Sequence, residues 1–407
     1  MIALGRLTLA PMLAAALLPA VGCREDAESP TAPEVTPALS AASAPLPFRQ
    51  VSAGSSHTCG VTTDDRAYCW GSNQWGQLGN GTTSGPEQCN PYPCSSKPVA
   101  VLGGLRFRHV IAGTEFTCGL TTNNRAYCWG MNFEGQLGDG TTTGRLKPVA
   151  VAGGRTFLLV RAGGAHACAI DTSHAAFCWG SNANGQLGDG TTTTRRLTPV
   201  RVSRGLSWQL LTGGERHTCG VTTDAHAYCW GLNGSGRLGD GTTVQRLKPA
   251  AISGGLLVRQ VEAGFDHTCA VAVTEYRAYC WGSNSTGQLG DGTTITRLTP
   301  TAVAGDRRFD NVSAGDLFTC GVTRGHRGLC WGRNGAGQLG NGTTFRRATP
   351  TPLAVDLQLG PVSAGFGFTC GVTTDDRAYC WGQNSYGQLG DGTWGNTRLT
   401  PVAVVGP

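Results

Sequence analysis

Residues 378–393 read A-Y-C-W-G-Q-N-S-Y-G-Q-L-G-D-G-T, and close copies of this stretch occur seven times in the 407-residue chain. Each copy has a cysteine, a Trp-Gly pair, an Asn two residues on, and G-(Q/R)-L-G before an (Asp/Asn)-Gly-Thr turn. After one longer first step of 59 residues the period is 50 or 51, with the tryptophans at Trp70, Trp129, Trp179, Trp230, Trp281, Trp331 and Trp381. A period in this range predicts a propeller, a solenoid or an array.

Alternation and turn residues predict that each repeat is one antiparallel sheet. From Val362 a unit reads V-S-A-G, F-T-C-G-V-T, a polar turn, A-Y-C-W-G, a glycine-rich excursion and T-P-V-A-V, which gives four short strands. β-branched and aromatic residues occupy both faces, so each sheet must be covered on both sides, as stacking around a ring achieves. We therefore predict an all-β, seven-bladed propeller of four-stranded antiparallel blades over residues 48–407.

The two ends of the repeat region suggest how the ring closes. The first repeat begins at Phe48 without a preceding P-V-A-V segment, whereas the chain finishes with such a segment at 401–404. We expect this last strand to pair with the first blade and close the ring.

Residues 1–22 resemble an export signal of the lipoprotein type. Their apolar run is too short and too broken to span a bilayer, and it ends in A-V-G-C, which resembles the lipobox of bacterial lipoproteins. We expect lipidation at Cys23; an ordinary export signal cut near Gly22 is the alternative. Residues 23–47, rich in Pro, Ala and Ser, predict a disordered stalk. The expected location is the bacterial outer membrane or cell surface, or otherwise the periplasm or the medium.

The cysteine count supports export. Apart from Cys23 there are sixteen cysteines, an even number that predicts disulfides in an exported chain. Seven pairs flank a short polar turn, across which hairpin residues lie close enough to bridge, and an eighth lies in the insertion that lengthens the first step. The expected pairs are Cys59 with Cys69, Cys89 with Cys94, Cys118 with Cys128, Cys168 with Cys178, Cys219 with Cys229, Cys269 with Cys280, Cys320 with Cys330, and Cys370 with Cys380.

A zinc site is the alternative use of these cysteines. A histidine two residues before a repeat cysteine would point to the same face of a strand and could bind zinc with both thiols. The equivalent position is Phe in the other three repeats, which is typical of packing, so we expect no metal. The histidines are His57, His166, His217 and His267, and the phenylalanines are Phe116, Phe318 and Phe368.

Catalytic groups are not apparent in the repeats. The Asp of the D-G-T turn could form a ring of carboxylates or calcium ligands, but it is Asn80 and Asn341 in two repeats, which suits a turn. No Ser motif or phosphate-binding glycine loop stands out. We therefore expect neither enzymatic activity nor a cofactor.

Positive charge is modest and distributed. The formal net charge is +6, and an arginine recurs before the last strand of six repeats. We expect these arginines to form a solvated ring on the periphery and not a nucleic-acid site. They are Arg145, Arg195, Arg246, Arg297, Arg346 and Arg398.

The repeats differ most in the loops after A-G and after W-G, which antiparallel strands place at the same end of a blade. The mixture of aromatics, arginines and carboxylates there is typical of a protein-binding face, although some aromatics could simply fill the loops. The predicted partner-binding residues are Trp75, Glu115, Met131, Phe133, Glu215, Arg216, Phe265, Asp266, Asp316, Arg333, Phe366 and Tyr386.

Three motifs resemble the repeats of the regulator of chromosome condensation family: A-G-x-x-H-T-C-G-V-T, R-A-Y-C-W-G-x-N-x-x-G-Q-L-G-D-G-T and R-L-T-P-V. The resemblance covers nearly all of residues 48–407 and implies a seven-bladed propeller. Members of the family include an exchange factor for a small nuclear GTPase, a plant ultraviolet-B receptor and a secreted bacterial inhibitor of β-lactamase, so the fold does not settle the function.

Export and disulfides argue against a role with a nuclear GTPase, and dispersed extra tryptophans at Trp75, Trp208 and Trp394 argue against photoreception. We expect a monomeric, non-catalytic module that binds an unidentified protein or, alternatively, an envelope polymer. The remaining alternatives are an inhibitor of a secreted or envelope enzyme, an envelope enzyme with its site at the ring centre, and a purely structural surface protein.

Overall fold

Short strands make up nearly all the regular structure of this chain. The computed structural model describes residues 45–89 and 91–407; the expected leader, Cys23 and residues 24–44 of the expected stalk lie outside them. The described part contains 29 strands and one 3₁₀ helix, Ser253–Gly255. Consecutive strands form seven antiparallel sheets, which confirms the predicted all-β, seven-bladed propeller. No helix of the described part is long and apolar enough to cross a membrane.

The strands follow one another from the ring axis outward in each blade. Blade one contains β1 (Phe48–Ala53), β2 (His57–Thr62), β3 (Ala67–Ser72) and β5 (Tyr92–Ala100), with the short β4 (Glu87–Cys89) beside β5. Blade two contains β6 (Phe107–Ala112), β7 (Phe116–Thr121), β8 (Ala126–Gly130) and β9 (Arg145–Ala150). Blade three contains β10 (Phe157–Ala162), β11 (His166–Asp171), β12 (Ala176–Ser181) and β13 (Arg195–Arg201). Blade four contains β14 (Trp208–Gly213), β15 (His217–Thr222), β16 (Ala227–Gly231) and β17 (Arg246–Ala251).

The last three blades repeat the same order. Blade five contains β18 (Val258–Ala263), β19 (His267–Ala272), β20 (Ala278–Gly282) and β21 (Arg297–Ala302). Blade six contains β22 (Phe309–Ala314), β23 (Phe318–Thr323), β24 (Gly328–Gly332) and β25 (Arg347–Pro352). Blade seven contains β26 (Leu359–Ala364), β27 (Phe368–Thr373), β28 (Ala378–Gly382) and β29 (Arg398–Ala403).

A disulfide joins the two middle strands of every blade. In blade two the register places Cys118 opposite Cys128, with their Cα atoms 4.1 Å apart. On the chain-entropy model, closing a loop of this size stabilises the fold by up to about 3 kcal/mol. The equivalent bonds of the other six blades join Cys59 to Cys69, Cys168 to Cys178, Cys219 to Cys229, Cys269 to Cys280, Cys320 to Cys330, and Cys370 to Cys380.

An eighth disulfide lies in the insertion of blade one. It joins Cys89 of β4 to Cys94 of β5, and the register pairs these two strands in antiparallel fashion. All sixteen cysteines of the described part are therefore bonded, and every bond joins the two cysteines that the sequence paired.

The hydrophobic core lies between neighbouring blades. Between blades one and two, Val61 and Leu78 pack against Phe107, Val110 and Trp129, and all five side chains are fully buried. Each sheet is therefore covered on both faces. This explains why every residue of a middle strand such as β2 is buried, since neither face of the strand meets water.

Ring closure differs from the expectation. The C-terminal strand β29 pairs with β28 in blade seven, whereas blade one takes its outer strand from β5, with Tyr68 opposite Ala100. The prediction that the last strand pairs with the first blade is therefore wrong. The physical reason is that the insertion ends in its own P-V-A-V segment, residues 98–101, which reaches β3 by closing a much shorter loop than the C-terminus would.

Blades one and seven close the ring by face-to-face packing. The Phe366 N–H donates to the Gly54 carbonyl at 3.1 Å, and the Thr58 hydroxyl donates to the Gln388 carbonyl at 2.7 Å. Both contacts recur between other neighbouring blades, for example from the Phe265 N–H to the Gly315 carbonyl and from the Thr117 hydroxyl to the Gln77 carbonyl. One buried cluster spans the closing interface and includes Phe48, Val51, Tyr68, Trp70, Phe368, Leu389 and Val404.

Candidate functional site

The loops after A-G and after W-G lie at the same end of every blade. In blade two they join β6 to β7 and β8 to β9, and the register places Phe116 opposite Gly130 and Gly130 opposite Arg145. This end of the ring, formed by both sets of loops, is termed the loop face.

An asparagine braces each W-G loop from within. Asn132 Oδ1 accepts a hydrogen bond from the Leu137 N–H at 2.9 Å, and its Nδ2 donates to the Thr141 carbonyl at 3.1 Å and to Asp139 Oδ1 at 3.3 Å. The equivalent asparagine is buried in all seven blades. The variable side chains of these loops are therefore displayed from a firmly held backbone.

The Asp of the D-G-T turn pairs with an arginine of the outermost strand. Asp139 Oδ2 lies 2.7 Å from Arg145 Nη2. Burial acts to raise the pKa of Asp139, but hydrogen bonds from Thr141 and Arg145 outweigh it and lower the pKa. These carboxylates are engaged in ion pairs and do not form an open ring of ligands. The five pairs are Asp139–Arg145, Asp189–Arg196, Asp240–Arg246, Asp291–Arg297 and Asp391–Arg398.

Two of the six recurring arginines behave differently from the rest. In blade three Arg196 makes the ion pair, while Arg195 donates to the Phe133 carbonyl of the preceding blade at 2.9 Å. In blade six, which has Asn341 in the turn, Arg346 donates to the Ser285 carbonyl at 3.3 Å. These arginines therefore tie loops of neighbouring blades together.

Four predicted partner-binding residues line a cavity at the ring axis, where the A-G loops of all seven blades converge. They are Glu215, Phe265, Asp316 and Phe366, and the cavity, termed the mouth, has a volume of ≈ 200 Å³. Phe265 and Phe366 are 37% and 46% exposed, and their ring centroids lie 6.3 Å apart although they belong to blades five and seven.

Two carboxylates stand beside these phenylalanines. Glu215 accepts a hydrogen bond from the Thr114 hydroxyl at 3.4 Å, and burial raises its pKa. Asp316 Oδ2 pairs with Arg333 Nη1 at 3.1 Å, while its Oδ1 is buried and has no hydrogen-bond partner among the described residues. Burial also raises the pKa of Asp316. The mouth is therefore acidic and partly apolar.

Glu115 lies between blades one and two. Gln77 Nε2 donates to its Oε2 at 2.6 Å, and the Ser56 hydroxyl donates to its Oε1 at 3.3 Å. Burial raises the pKa of Glu115 to about 7, although the hydrogen bond from Ser56 favours the ionised form. Glu115 is therefore a link between blades whose charge changes near neutral pH.

Aromatic pairs join neighbouring blades outside the mouth. Trp75 and Phe133 meet edge to face with centroids 5.1 Å apart, and Phe133 remains 53% exposed. The ring centroid of Tyr386 lies 6.2 Å from that of Tyr92. Tyr92 belongs to the insertion of blade one and was not among the predicted partner-binding residues. These aromatics thus fill space between loops and also present apolar surface.

The remaining predicted residues make separate contacts. Arg216 is exposed beside Glu215. Asp266 Oδ1 lies 2.5 Å from Nη1 of the buried Arg237, which replaces the Gln of the G-Q-L-G stretch. Met131 is half-buried, and its N–H donates to the Glu115 carbonyl at 3.0 Å. The structure therefore separates the predicted set into the mouth and the loops around it.

Exposed apolar residues in the D-G-T loops escaped the sequence prediction. They follow the turn in four consecutive blades and are 42–71% exposed, at Val244, Ile295, Phe345 and Trp394. Their signal is the variable residue after (Asp/Asn)-Gly-Thr-Thr, or directly after Asp-Gly-Thr at Trp394, where the first repeats have polar residues. The register of the outermost strands places these residues at the loop face.

The four repeat histidines are packing residues. His57 Nε2 lies 2.9 Å from the Thr117 hydroxyl of the next blade, and burial lowers the pKa of His57 to about 3. The cysteines beside these histidines are disulfide-bonded, so they do not supply the thiolates that a zinc site needs. The other three histidines make the same contact, His166 with Thr218, His217 with Thr268 and His267 with Thr319.

Comparison with known proteins yields one family. The RCC1-like domain matches residues 3–272, and regulator of chromosome condensation (RCC1) repeats match 258–288, 277–322 and 362–388. The ultraviolet-B receptor UVR8 of Arabidopsis thaliana is 29% identical over 258 residues, which cover 62% of this chain and 57% of UVR8. The E3 ubiquitin-protein ligase HERC2 of Homo sapiens is 28% identical over 261 residues, which cover 63% of this chain and 4% of HERC2. The chain thus spans little over half of one relative and a small part of the other.

Solved structures show the same fold. Human WBSCR16 superimposes with a TM-score of 0.74 and 21% identity over 84% of this chain and 94% of that one. Yeast RCC1 (Prp20), in its structure with Kap60, superimposes with a TM-score of 0.70 and 17% identity over 89% of this chain and 84% of that one.

Proposed function

Because the chain belongs to the RCC1-like domain family, we propose that it is a non-catalytic protein-binding module that acts outside the cytoplasm through its loop face. Yeast Prp20 has been crystallised with Kap60 bound and studied for its binding to Gsp1p and histones. At 17% and 19% identity, that likeness supports the fold and a binding role.

The mouth is the observation that carries the proposal. It is a concave site in which two partly exposed phenylalanines stand beside two carboxylates of raised pKa. Partly desolvated aromatic and charged side chains at the centre of a patch are typical of protein-binding hot spots. Such a site favours a partner segment that carries a basic residue next to apolar ones.

Disulfide bonding supports a location outside the cytoplasm. Eight disulfides indicate an oxidising compartment, because reducing conditions keep cytosolic thiols free. We further propose export by residues 1–22 and an anchor at Cys23, with residues 24–47 as the stalk between the anchor and the propeller.

Affinity capture from an envelope extract with the full chain tests the proposal. A loop-face variant carries Phe133→Ala, Phe265→Ala and Phe366→Ala. A matched control carries Leu257→Ala and Val273→Ala, which are exposed residues at the opposite end of blade five. We expect a protein that the wild type and the control retain and the loop-face variant loses. Equal retention by all three, or retention by none, would overturn the proposal.

A further inference from the structure

The innermost strand of each blade presents one side chain to the central channel just before its A-G pair, or before the G-G pair of blade four. At four of the seven positions this side chain is a Ser or Thr whose hydroxyl accepts a hydrogen bond from a backbone N–H of the next blade. Ser52 accepts from Ala112 at 3.0 Å, and Ser363 accepts from Ala53 at 2.9 Å. Each of these bonds links one blade to the next, and the hydroxyl can still donate one hydrogen bond, as that of Thr212 does to Glu262. The other two of these four hydroxyls belong to Ser313 and Thr212, and they accept hydrogen bonds from the backbone N–H groups of Ala364 and Ala263.

Arg161 and Glu262 break this pattern and bring opposite charges into one cavity. They come from blades three and five and line a cavity of ≈ 320 Å³ in the channel, next to the mouth. The Arg161 guanidinium has five N–H donors, but its one hydrogen bond in the described structure runs from Nη1 to the Val160 carbonyl at 3.2 Å. No ion pair joins it to Glu262 in the described residues, and Arg161 lines the cavity with N–H donors that have no hydrogen-bond partner among those residues.

Two neighbours orient the Glu262 carboxylate. Gln260 Nε2 donates to Oε1 at 3.2 Å, and the Thr212 hydroxyl donates to Oε2 at 3.2 Å. Each carboxylate oxygen can accept a further hydrogen bond. Burial raises the pKa of Glu262, and the charge of Arg161 opposes that rise, so a cation bound beside Glu262 would stabilise its ionised form.

Asn311, in the next blade, adds a third group with unused capacity. The side-chain amide of Gln260 in blade five bonds the backbone of Val312 in blade six. Its Nε2 donates to the Val312 carbonyl at 3.0 Å, and its Oε1 accepts from the Val312 N–H at 3.1 Å. Asn311 occupies the equivalent position in blade six and is one methylene shorter. Its Oδ1 is buried without a hydrogen-bond donor in the described structure, and it lines the same cavity.

We propose that this cavity binds a small zwitterion of the amino-acid class, with its carboxylate on the Arg161 guanidinium and its ammonium group held by Glu262 and Asn311. A guanidinium can bind a carboxylate through two parallel hydrogen bonds, and an ammonium group supplies three donors. None of the twelve predicted partner-binding residues lines this cavity. The site is therefore made of side chains distinct from the predicted partner-binding residues, and it adjoins the mouth, with which it shares residues such as Ala162 and Ala263.

Isothermal titration of the dialysed full chain tests the site. The probes are glycine and L-alanine as zwitterions, sodium acetate as the anion alone and methylammonium chloride as the cation alone. We expect at least one zwitterion to bind at least tenfold more tightly than acetate or methylammonium. Absence of binding by both zwitterions would overturn the proposal, as would equal binding of acetate.

Three variants locate the site. Arg161→Gln and Glu262→Gln should each weaken zwitterion binding at least tenfold, whereas Arg161→Lys, which keeps the charge but not the two parallel N–H donors, should retain part of the affinity that Arg161→Gln loses. Ile111→Val changes the equivalent position in blade two and serves as the matched control, with unchanged affinity. Thermal unfolding of each variant establishes that it is folded before titration. Unchanged affinity in both charge-removing variants would place any binding elsewhere and overturn the proposal.

Discussion

The indole Nε1 of Trp129 donates a 2.9 Å hydrogen bond to the carbonyl oxygen of Gln77 in the preceding blade. Five further repeat tryptophans make the same bond to the residue at the Gln/Arg position of the blade before them. The Gln77 carbonyl also accepts from the Thr117 hydroxyl at 2.9 Å. The G-Q-L-G stretch of one blade is therefore the docking surface for the next, which explains why it recurs together with the tryptophan.

The second glycine of G-Q-L-G makes room for that indole. Gly79 has φ +69°, and a Cβ added there would lie 2.7 Å from Trp129 Nε1. We expect Gly79→Ala to lower the free energy of unfolding by about 2–5 kcal/mol, because backbone strain and overpacking add. Denaturant unfolding with the disulfides intact measures it. Gly104→Ala is the control, since Gly104 has a similar φ of +65° and nothing within 4 Å of the added Cβ. Equal losses in the two variants would contradict the steric role of Gly79.

The repeat pattern was sufficient to predict the propeller, because every blade uses the same local turns and the same period. It failed at ring closure, where the insertion of blade one obscured the strand that follows it. It also could not show the environment of Glu115, whose partners Ser56 and Gln77 lie 59 and 38 residues away. Contacts of this kind depend on which blades are neighbours and on how deeply each loop packs, and local residue patterns carry neither.

The buried histidines should make the protein sensitive to acid. Burial lowers the pKa of His57 from 6.5 to about 3. The unfolded chain therefore binds a proton that the native chain does not, so this stability is present above pH 6.5 and is lost as the pH falls toward 3. At pH 5 the loss amounts to roughly 2 kcal/mol for one such histidine. We expect His57→Phe, which copies the residue at this position in blades two, six and seven, to reduce the decrease in melting temperature between pH 7.5 and 5. Parallel pH profiles for the two proteins would refute this origin of the acid sensitivity.

Glu115 should act in the opposite direction. Its native pKa of about 7 exceeds the ordinary value of 4.5, so its contribution to stability is fully present below pH 4.5 and is lost as the pH rises through 7. We expect Glu115→Gln to stabilise the fold above pH 7, by at most about 3 kcal/mol, and to change little at pH 4. Chemical unfolding at pH 4 and pH 8 measures both values. A variant that is destabilised equally at both pH values would show that the hydrogen bonds of Glu115 outweigh its charge.

Trp70 allows the closing interface to be compared with an ordinary one. Its Nε1 is buried and has no hydrogen-bond partner in the described structure, whereas Trp129 Nε1 has the Gln77 carbonyl. Replacement by Phe removes similar apolar area at both positions but breaks a hydrogen bond only at Trp129. We therefore expect Trp70→Phe to cost about 1–3 kcal/mol less than Trp129→Phe, because an unpaired buried N–H is itself unfavourable. Melting temperatures of the two variants beside the wild type provide the measurement. If the costs are equal, Trp70 donates a hydrogen bond in solution, and the closing interface is held by the same set of bonds as the interface between blades one and two.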